Sequence, residues 1–465
     1  MTDIPELADE TVDETPLVTV YITNYNYDQY LRTAIESVLN QNFRDFELII
    51  IDDGSTDDSR EIIREYADHR KTRVIFQENK GLNKSIDVAI KAARGTYVMR
   101  LDADDFLDPN ALLVLSNELE EDEDAALVFP DYYYVDENDE VIGQEHRNDF
   151  SDVTVPDRPA HGACTLFRKR VLEEVGSYST DYTCQDGYDI WVKIINKYDV
   201  KNVNLPLFYY RQHGESLTEN TEQILETRVE IKTDYVEDNG GMPSILAVVP
   251  IRGEIIDPES PVLETLGDKP VVEWTLEAIE ETPQIKQTVV STPDSDVLDY
   301  VENRDGNIAT HERAIELARE NVSLDATLKA VCEEFDTSSF DGIAQLTPNS
   351  PFRTTRAIKE GITTLEIFPV DEVVGVFPEE DQFYIHDGNG LQPVGGAFPE
   401  RDLRLERERL FRRAGGLKLI DIDFFFDDER GHNPRIGHVI LQEQESIEIQ
   451  SKDDLRNIQN STLLE

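Results

Sequence analysis

Ile49-Ile50-Ile51-Asp52-Asp53-Gly54-Ser55-Thr56 is an apolar, β-branched run that stops abruptly in two carboxylates. Met99-Arg100-Leu101-Asp102-Ala103-Asp104-Asp105 repeats the design further along. Strands buried on both faces of a parallel sheet have this form, and open α/β sheets bind ligands just outside the strand carboxyl ends. Two acidic strand ends in one Rossmann-like unit imply a nucleotide held by one pair and a divalent metal held by the other.

Either side of these runs, strands and helices alternate. Residues 17–23 read as a strand. Residues 28–41 read as an amphipathic helix with Leu31, Ile35, Val38 and Leu39 at helical spacing. A strand at 46–51 precedes a helix at 55–66 opened by Ser, Thr and Asp caps. Residues 73–77 are a strand, 82–93 a helix, and 97–101 the strand that delivers Asp102. This βαβ alternation predicts a mostly parallel sheet. Beyond 110–119 the pattern becomes irregular, with extended segments at 126–134, 163–167 and 203–210 and a helix at 186–198.

The turn-rich stretch 236–243 reads as a linker, and a second α/β pattern follows it. Its strands are expected at 244–250, 287–291 and 342–346, and its helices at 271–280 and 322–335. The expected organisation is an acidic disordered lead-in over 1–16, one α/β domain over 17–235, the linker, and a second α/β domain over 244–465. The fold class is α/β, two Rossmann-like, mostly parallel-sheet domains in tandem. The halves share a style of fold without a residue-level repeat.

Length bounds the chain at two to three domains, since it has 465 residues. Lys and Arg number 44 against 97 Asp and Glu, a net charge of −53 spread over the whole chain. Such a surface repels itself unless salt screens it, so the composition points to the cytoplasm of an extreme halophile. No basic stripe exists, which disfavours nucleic acid as a partner. Cys164, Cys184 and Cys332 are odd in number and far apart, as in a reducing compartment, with no zinc motif. No signal peptide and no spanning run is read, although peripheral contact with a membrane-bound acceptor is compatible with the sequence.

Asp is so common that Asp-x-Asp alone means little; it occurs at 102–104, 294–296 and 421–423. Only the first follows a clean buried strand and a second acidic strand end. There the carboxylates can hold a hard cation that neutralises a diphosphate leaving group.

The residues then make a specific resemblance. Tyr21-Ile22-Thr23-Asn24-Tyr25-Asn26, Ala34-Ile35-Glu36-Ser37-Val38-Leu39-Asn40-Gln41 and Ile51-Asp52-Asp53-Gly54-Ser55-Thr56-Asp57 come first. Asn79-Lys80-Gly81, Leu101-Asp102-Ala103-Asp104-Asp105, Gln185-Asp186-Gly187-Tyr188-Asp189-Ile190-Trp191 and Tyr210-Arg211-Gln212-His213-Gly214-Glu215-Ser216 follow. In that order they resemble the family-2 glycosyltransferases of the GT-A fold. The resemblance implies an inverting, Mn- or Mg-dependent transfer from a nucleotide-sugar donor to a glycan or lipid-linked acceptor. It implies that Thr23, Asn24, Tyr25 and Lys80 line the nucleotide pocket and that Asp52 and Asp53 meet the base and ribose. Asp102 would sit near the ribose, and Asp104 would be the principal metal ligand, with His213 as a second. Asp186 would be the general base, with Asp189 as runner-up. Arg211, and Lys84 in place of the family's usual Arg, would face the diphosphate. Trp191 is read as core.

The second half resembles the cytidylyltransferases that activate sialic-acid-like nonulosonates. The matches are Val249-Pro250-Ile251-Arg252-Gly253, Leu266-Gly267-Asp268-Lys269-Pro270, Thr347-Pro348-Asn349-Ser350-Pro351-Phe352-Arg353 and Glu445-Ser446-Ile447-Glu448-Ile449. The resemblance makes Arg252, Gly253, Lys269, Arg353 and Glu448 nucleotide-site candidates and implies a homodimer through this domain. The family's phosphate loop is rich in Gly, Ser and Lys, because backbone N–H groups and a cation cradle a triphosphate. Here it reads Glu254-Ile255-Ile256-Asp257-Pro258-Glu259. The preferred reading is a catalytically degenerate domain. The alternatives are a bifunctional enzyme that also makes a CMP-nonulosonate, and a non-catalytic scaffold of a glycan pathway.

Overall fold

The computed structural model describes residues 15–146, 159–179, 182, 186–212, 221–379, 383–386, 391–394, 410–427 and 433–461. The expected disordered lead-in and His213 lie outside them. The described chain falls into two compact units, 15–212 and 221–461.

The first unit runs β1 (Val18–Asn24), α1 (Asp28–Leu39), β2 (Phe46–Asp52), α2 (Ser59–Tyr66), β3 (Thr72–Phe76), α3 (Leu82–Ala92) and β4 (Tyr97–Asp102). It continues with β5 (Phe106–Leu107), α4 (Ala111–Glu121), β6 (Ala125–Val135), β7 (Val141–Glu145) and β8 (Leu166–Arg168). Helices α5 (Lys169–Glu174) and α6 (Asp186–Ile195) and strand β9 (Asp199–Arg211) complete it. The sheet order is β3-β2-β1-β4-β8-β6-β9-β5, with β7 on β6. The first four strands are parallel, β8 is antiparallel to both neighbours, and β6 and β9 are parallel.

Every residue of β2 is buried, and its side chains alternate between two cores. Leu48 and Ile50 pack with Leu31, Ile35 and Val38 of α1 and with Leu112 and Leu115 of α4. Ile49 and Ile51 pack with Ile86 and Ile90 of α3 and with Ile190 and Trp191 of α6. Helices therefore cover both faces, which is why the strand needs no polar side. Trp191 is core, edge-on to Phe129.

Two elements differ from the sequence reading for local reasons. The helix expected from residue 55 begins at Ser59. Ser55 instead gives its N–H to Asp52, and its hydroxyl oxygen accepts from Asn24 Nδ2 and the Asn26 N–H, so 52–58 is a turn. The strand expected over 163–167 forms only at Leu166–Arg168, after Cys164 takes φ +59°.

The second unit opens with α7 (Thr221–Asn239), then β10 (Ile245–Pro250), β11 (Thr265–Leu266), β12 (Lys269–Pro270), α8 (Val271–Glu280), β13 (Ile285–Thr292), α9 (Ser295–Glu302) and β14 (Ile308–Glu312). Next come α10 (Leu324–Glu334), β15 (Gly342–Leu346), α11 (Thr355–Ile367), β16 (Glu372–Glu379), β17 (Tyr384–His386) and β18 (Leu391–Pro393). It ends in β19 (Leu410–Asp421), α12 (Ile422–Phe426), β20 (Ile436–Ile440) and α13 (Lys452–Gln459). Residues 236–239 of the expected linker are thus the last turn of α7, which packs on α11 of the second unit.

The main sheet is ordered β14-β13-β10-β15-β19-β16-β20. Its first four strands are parallel, β19 is antiparallel to β15 and β16, and β16 and β20 are parallel. Strand for strand, this repeats the β3-β2-β1-β4-β8-β6-β9 path of the first unit. The repeat lies in topology, so no residue-level match was there to find.

Candidate functional site

Connections leave β1 toward β2 on one side and reach β4 on the other, so the sheet has its topological switch point between β1 and β4. The parallel register sets Asn24 beside Asp52 and Thr23 beside Asp102. The acidic strand ends therefore meet at one edge, the edge at which open α/β sheets bind ligands. The register brings Thr23, Asn24, Asp52 and Asp102 together, with Asp53 and Asp104 one and two residues beyond the strand ends.

Most of the polar groups here build loops. Asp52 is fully buried; it accepts the Ser55 N–H at 3.0 Å and the Arg60 Nε at 2.9 Å. Expected against base and ribose, its carboxylate instead closes the turn that carries Asp53. Asp53 accepts Gln77 Nε2 at 2.7 Å and the backbone N–H groups of Lys80 and Gly81 at 2.9 and 2.8 Å. It thereby fixes the 77–81 segment, on which the Lys80 side chain is exposed, as is Lys84 in the first turn of α3. Asn24 is buried and donates to Ser55, Thr23 is half-buried, and Tyr25 is 45% exposed, open to a planar ligand.

The 102–105 loop is held from two directions. Arg100, itself buried, donates from Nε to Asp102 Oδ1 at 2.6 Å. Arg211 donates from its backbone N–H to Asp105 Oδ1 at 2.9 Å and from Nε to the Asp104 carbonyl at 2.7 Å. Burial pushes the Asp105 carboxyl well above the usual carboxylate range, and the charges of Asp104 and Asp102 push it the same way. Arg211 was expected at the diphosphate; its side chain is 1% exposed and wholly occupied inside the unit. Arg100 and Asp105 carry no motif spacing of their own. Asp105 ends the Leu101–Asp105 stretch that carries the resemblance, which implies no role for it, and the only signal for Arg100 is adjacency to Asp102.

No group of three or more His, Cys, Asp or Glu among the described residues is arranged to hold a metal. The donor set fits a cation held in another way. Asp102 and Asp104 offer hard oxygens from a half-buried loop, and diphosphate and water would supply the other positions, as is usual for Mg²⁺. The other two Asp-x-Asp runs are helix caps: Asp294 accepts the Asp296 N–H, and Asp421 the Phe424 N–H.

Asp186 is the first residue of α6, and its side chain lies outside the described residues. Asp189 is buried, accepts the Ser179 N–H and pairs with Lys193 at 2.8 Å, a structural role.

Comparison with known proteins matches residues 19–176 to the model for glycosyl transferase family 2. An uncharacterized glycosyltransferase of Nostoc sp. is 32% identical over 247 residues, covering 48% of this chain and 74% of that protein. The chain belongs to glycosyltransferase family 2. The Escherichia coli chondroitin synthase is 30% identical over 213 residues, covering 45% of this glycosyltransferase and 31% of the synthase. The chain thus spans under a third of the length of that relative. Among solved structures, S. aureus TarS 1–349 aligns with TM-score 0.39 and 18% identity, covering 47% of this chain and 65% of that one. The family match covers the first unit alone.

In the second unit a cleft of about 460 Å³ opens beside β15 and β19. Ser323, Asp325, Gln345, Thr347, Arg413, Lys418 and Glu448 line it. Of the five candidates in this half, only Glu448 reaches it. Arg353 is fully buried, donating to the carbonyls of Thr347, Gly415 and Gly416, and burial lowers it to about 10. Lys269 pairs with Glu277 and lies over the Trp274 ring. Gly253 sits at φ +69°, where a Cβ would lie 2.2 Å from Asp294 Oδ2; the Arg252 side chain is exposed.

Proposed function

We propose that the first unit is an inverting, Mn- or Mg-dependent glycosyltransferase that uses a nucleotide-diphosphate sugar and a glycan or lipid-linked acceptor. The observation that carries this is the alignment of Thr23, Asp102 and the Asp53-bound 77–81 segment at one strand edge of a family-2 domain. Exposed Tyr25 would offer a face to the base, and half-buried Asp102 would accept from the ribose hydroxyls. A cation on Asp104 would neutralise charge on the departing diphosphate. Asp186 would take the acceptor hydroxyl proton as that oxygen bonds to the anomeric carbon and the bond to the diphosphate breaks. A single in-line displacement inverts the centre.

The second unit is read as a degenerate cytidylyltransferase-like domain. Arg353 and Lys269 are committed to internal partners, and Glu254 on the loop after β10 pairs with Lys452 at 2.6 Å. No cation of that loop apart from Arg252 is left for a triphosphate. No described helix is long and apolar enough to cross a membrane. The charge of −53 supports a cytoplasmic, high-salt setting.

Calorimetry in molar KCl with Mn²⁺, using UDP, GDP and CTP, tests both halves. The transferase reading expects metal-dependent UDP or GDP binding that Asp104→Asn abolishes, without CTP binding. CTP binding that survives Asp104→Asn would favour the bifunctional alternative.

A further inference from the structure

We infer that Arg211 is the positioning residue for the 102–105 loop, fixing where Asp104 presents its carboxylate from a place no ligand reaches. The inference rests on the donor-site reading above and adds a residue that acts only through others.

Four contacts radiate from this one side chain and its amide. The N–H donates to Asp105 Oδ1, and Nε donates to the Asp104 carbonyl. One terminal nitrogen donates to the Asp136 carbonyl at 2.9 Å, and the other meets Asp139 Oδ1 at 2.6 Å. The guanidinium carbon lies 4.4 Å from the centre of the Tyr30 ring and 5.7 Å from that of Phe106. Arg211 thus ties the loop after β4 to the end of β9, to the β6–β7 turn and to α1. Asp105 completes the clamp, since its own N–H closes back on the Asp102 carbonyl at 3.2 Å.

The geometry requires arginine. A planar fork can serve a carbonyl, a second carbonyl and a carboxylate in three directions while lying against an aromatic ring. A lysine ammonium would supply charge at one point and could not reach both part-buried carbonyls. The Asp104 backbone would then be free to shift, and a metal-binding carboxylate held loosely loses affinity. Removing such an outer partner lowers metal affinity by about 10–100-fold.

The test is calorimetric, on the full chain in molar KCl, with UDP and in parallel GDP as probes across a Mn²⁺ series. Arg211→Lys is expected to raise the Mn²⁺ concentration for half-maximal nucleotide binding by about tenfold or more. Asp139→Asn, which removes only the charge of the partly exposed contact, is expected to raise it by about fivefold at most. A merely structural role would lower the folded fraction or the melting temperature and leave the Mn²⁺ midpoint of the folded protein in place. A folded Arg211→Lys protein with the wild-type midpoint overturns the inference. Should that variant not fold, Asp105→Ala carries the same test, because it removes the acceptor of the Arg211 amide and leaves the Arg211 side chain in place. Wild-type protein that binds neither nucleotide with Mn²⁺ overturns the donor-site reading and this inference together. Failure of the inference alone leaves wild-type binding intact.

Discussion

Asp53 and Gly81 are joined by a 2.8 Å hydrogen bond from the Gly81 amide to Oδ2, while Oδ1 of the same carboxylate takes the Lys80 amide. One buried side chain at the end of β2 thus shapes the segment that leads into α3. Asp53→Ala would strand three donors, those of Gln77, Lys80 and Gly81. These bonds are only part-buried, so their loss costs about 0.5–1.5 kcal/mol each rather than the full penalty of a buried orphan. The expected outcome is a lower urea midpoint and at least a tenfold weaker UDP or GDP titration, about 1.4 kcal/mol. Wild-type values in both would refute the clamp.

Gly54 sets the same turn from the backbone side. Its φ is +88°, and an added Cβ would stand 2.7 Å from the Asn79 nitrogen. Gly54→Ala would both strain the residue and push the 79–81 segment away, at a cost of about 1–3 kcal/mol. Nucleotide binding should weaken along with stability. Ser85→Ala, which removes one hydroxyl bonded to Gln77, should have the smaller effect of the two in the same melting assay. Reversal of that order would show that 79–81 is not held through Gly54.

Much of the first unit was legible because its signals are continuous. The apolar Leu48–Ile51 run of β2 and the apolar spacing of α1 each report a burial pattern, and burial on both faces accounts for the parallel part β3-β2-β1-β4; the expected mostly parallel sheet is in fact mixed, because β5, β7 and β8 pair antiparallel. The strand-end carboxylates were legible as a group, but their directions were not. Asp52 and Asp53 are neighbours of one residue type, yet one faces Arg60 and the other the 77–81 segment. Arg211 reads as a phosphate ligand from its motif, and only three-dimensional packing shows Tyr30 and Phe106 closing over it. In the second half, α7 went unread for a physical reason. Its buried residues are Leu225, Thr227, Val229, Ile231, Lys232 and Val236, so a threonine and a lysine interrupt the apolar spacing.

Glu47 supplies a pH-dependent contribution away from the site. Burial alone would push its carboxyl up, but hydrogen bonds from the Arg94 side chain and amide and from Thr19, with the Arg73 charge, hold it below the usual carboxylate range. A carboxyl lowered in the folded state stabilises the protein above its unfolded value, about pH 4.3, and that stability is lost as pH falls through the folded value. Glu47→Gln should therefore lower the urea midpoint clearly at pH 7, by about 1–3 kcal/mol. The difference from wild type should shrink steadily below about pH 4. A difference that stays constant from pH 7 down to pH 3.5 would remove Glu47 from the titrating set.

The place of α7 makes the last prediction. Lys232 is fully buried, with Nζ 2.9 Å from Thr364 Oγ1 and 3.7 Å from Glu360 Oε1 on α11. Glu360 in turn pairs with Arg356 at 2.8 Å, and Arg356 with Glu445 at 2.5 Å. A buried pair broken on one side costs about 3–5 kcal/mol, because the partner charge stays behind. Arg356 shares that charge here, so Lys232→Met should fall toward the lower end, about 3 kcal/mol. The same packing says where the second unit begins. A fragment spanning 220–465 should unfold in one cooperative urea transition in molar KCl. A fragment spanning 236–465 loses the Leu225, Val229 and Lys232 face and bares the α11 surface beneath it. It should bind a hydrophobic dye and lose its sharp transition. Equal cooperativity in the two fragments would return the boundary to the 236–243 stretch that the turn residues first indicated.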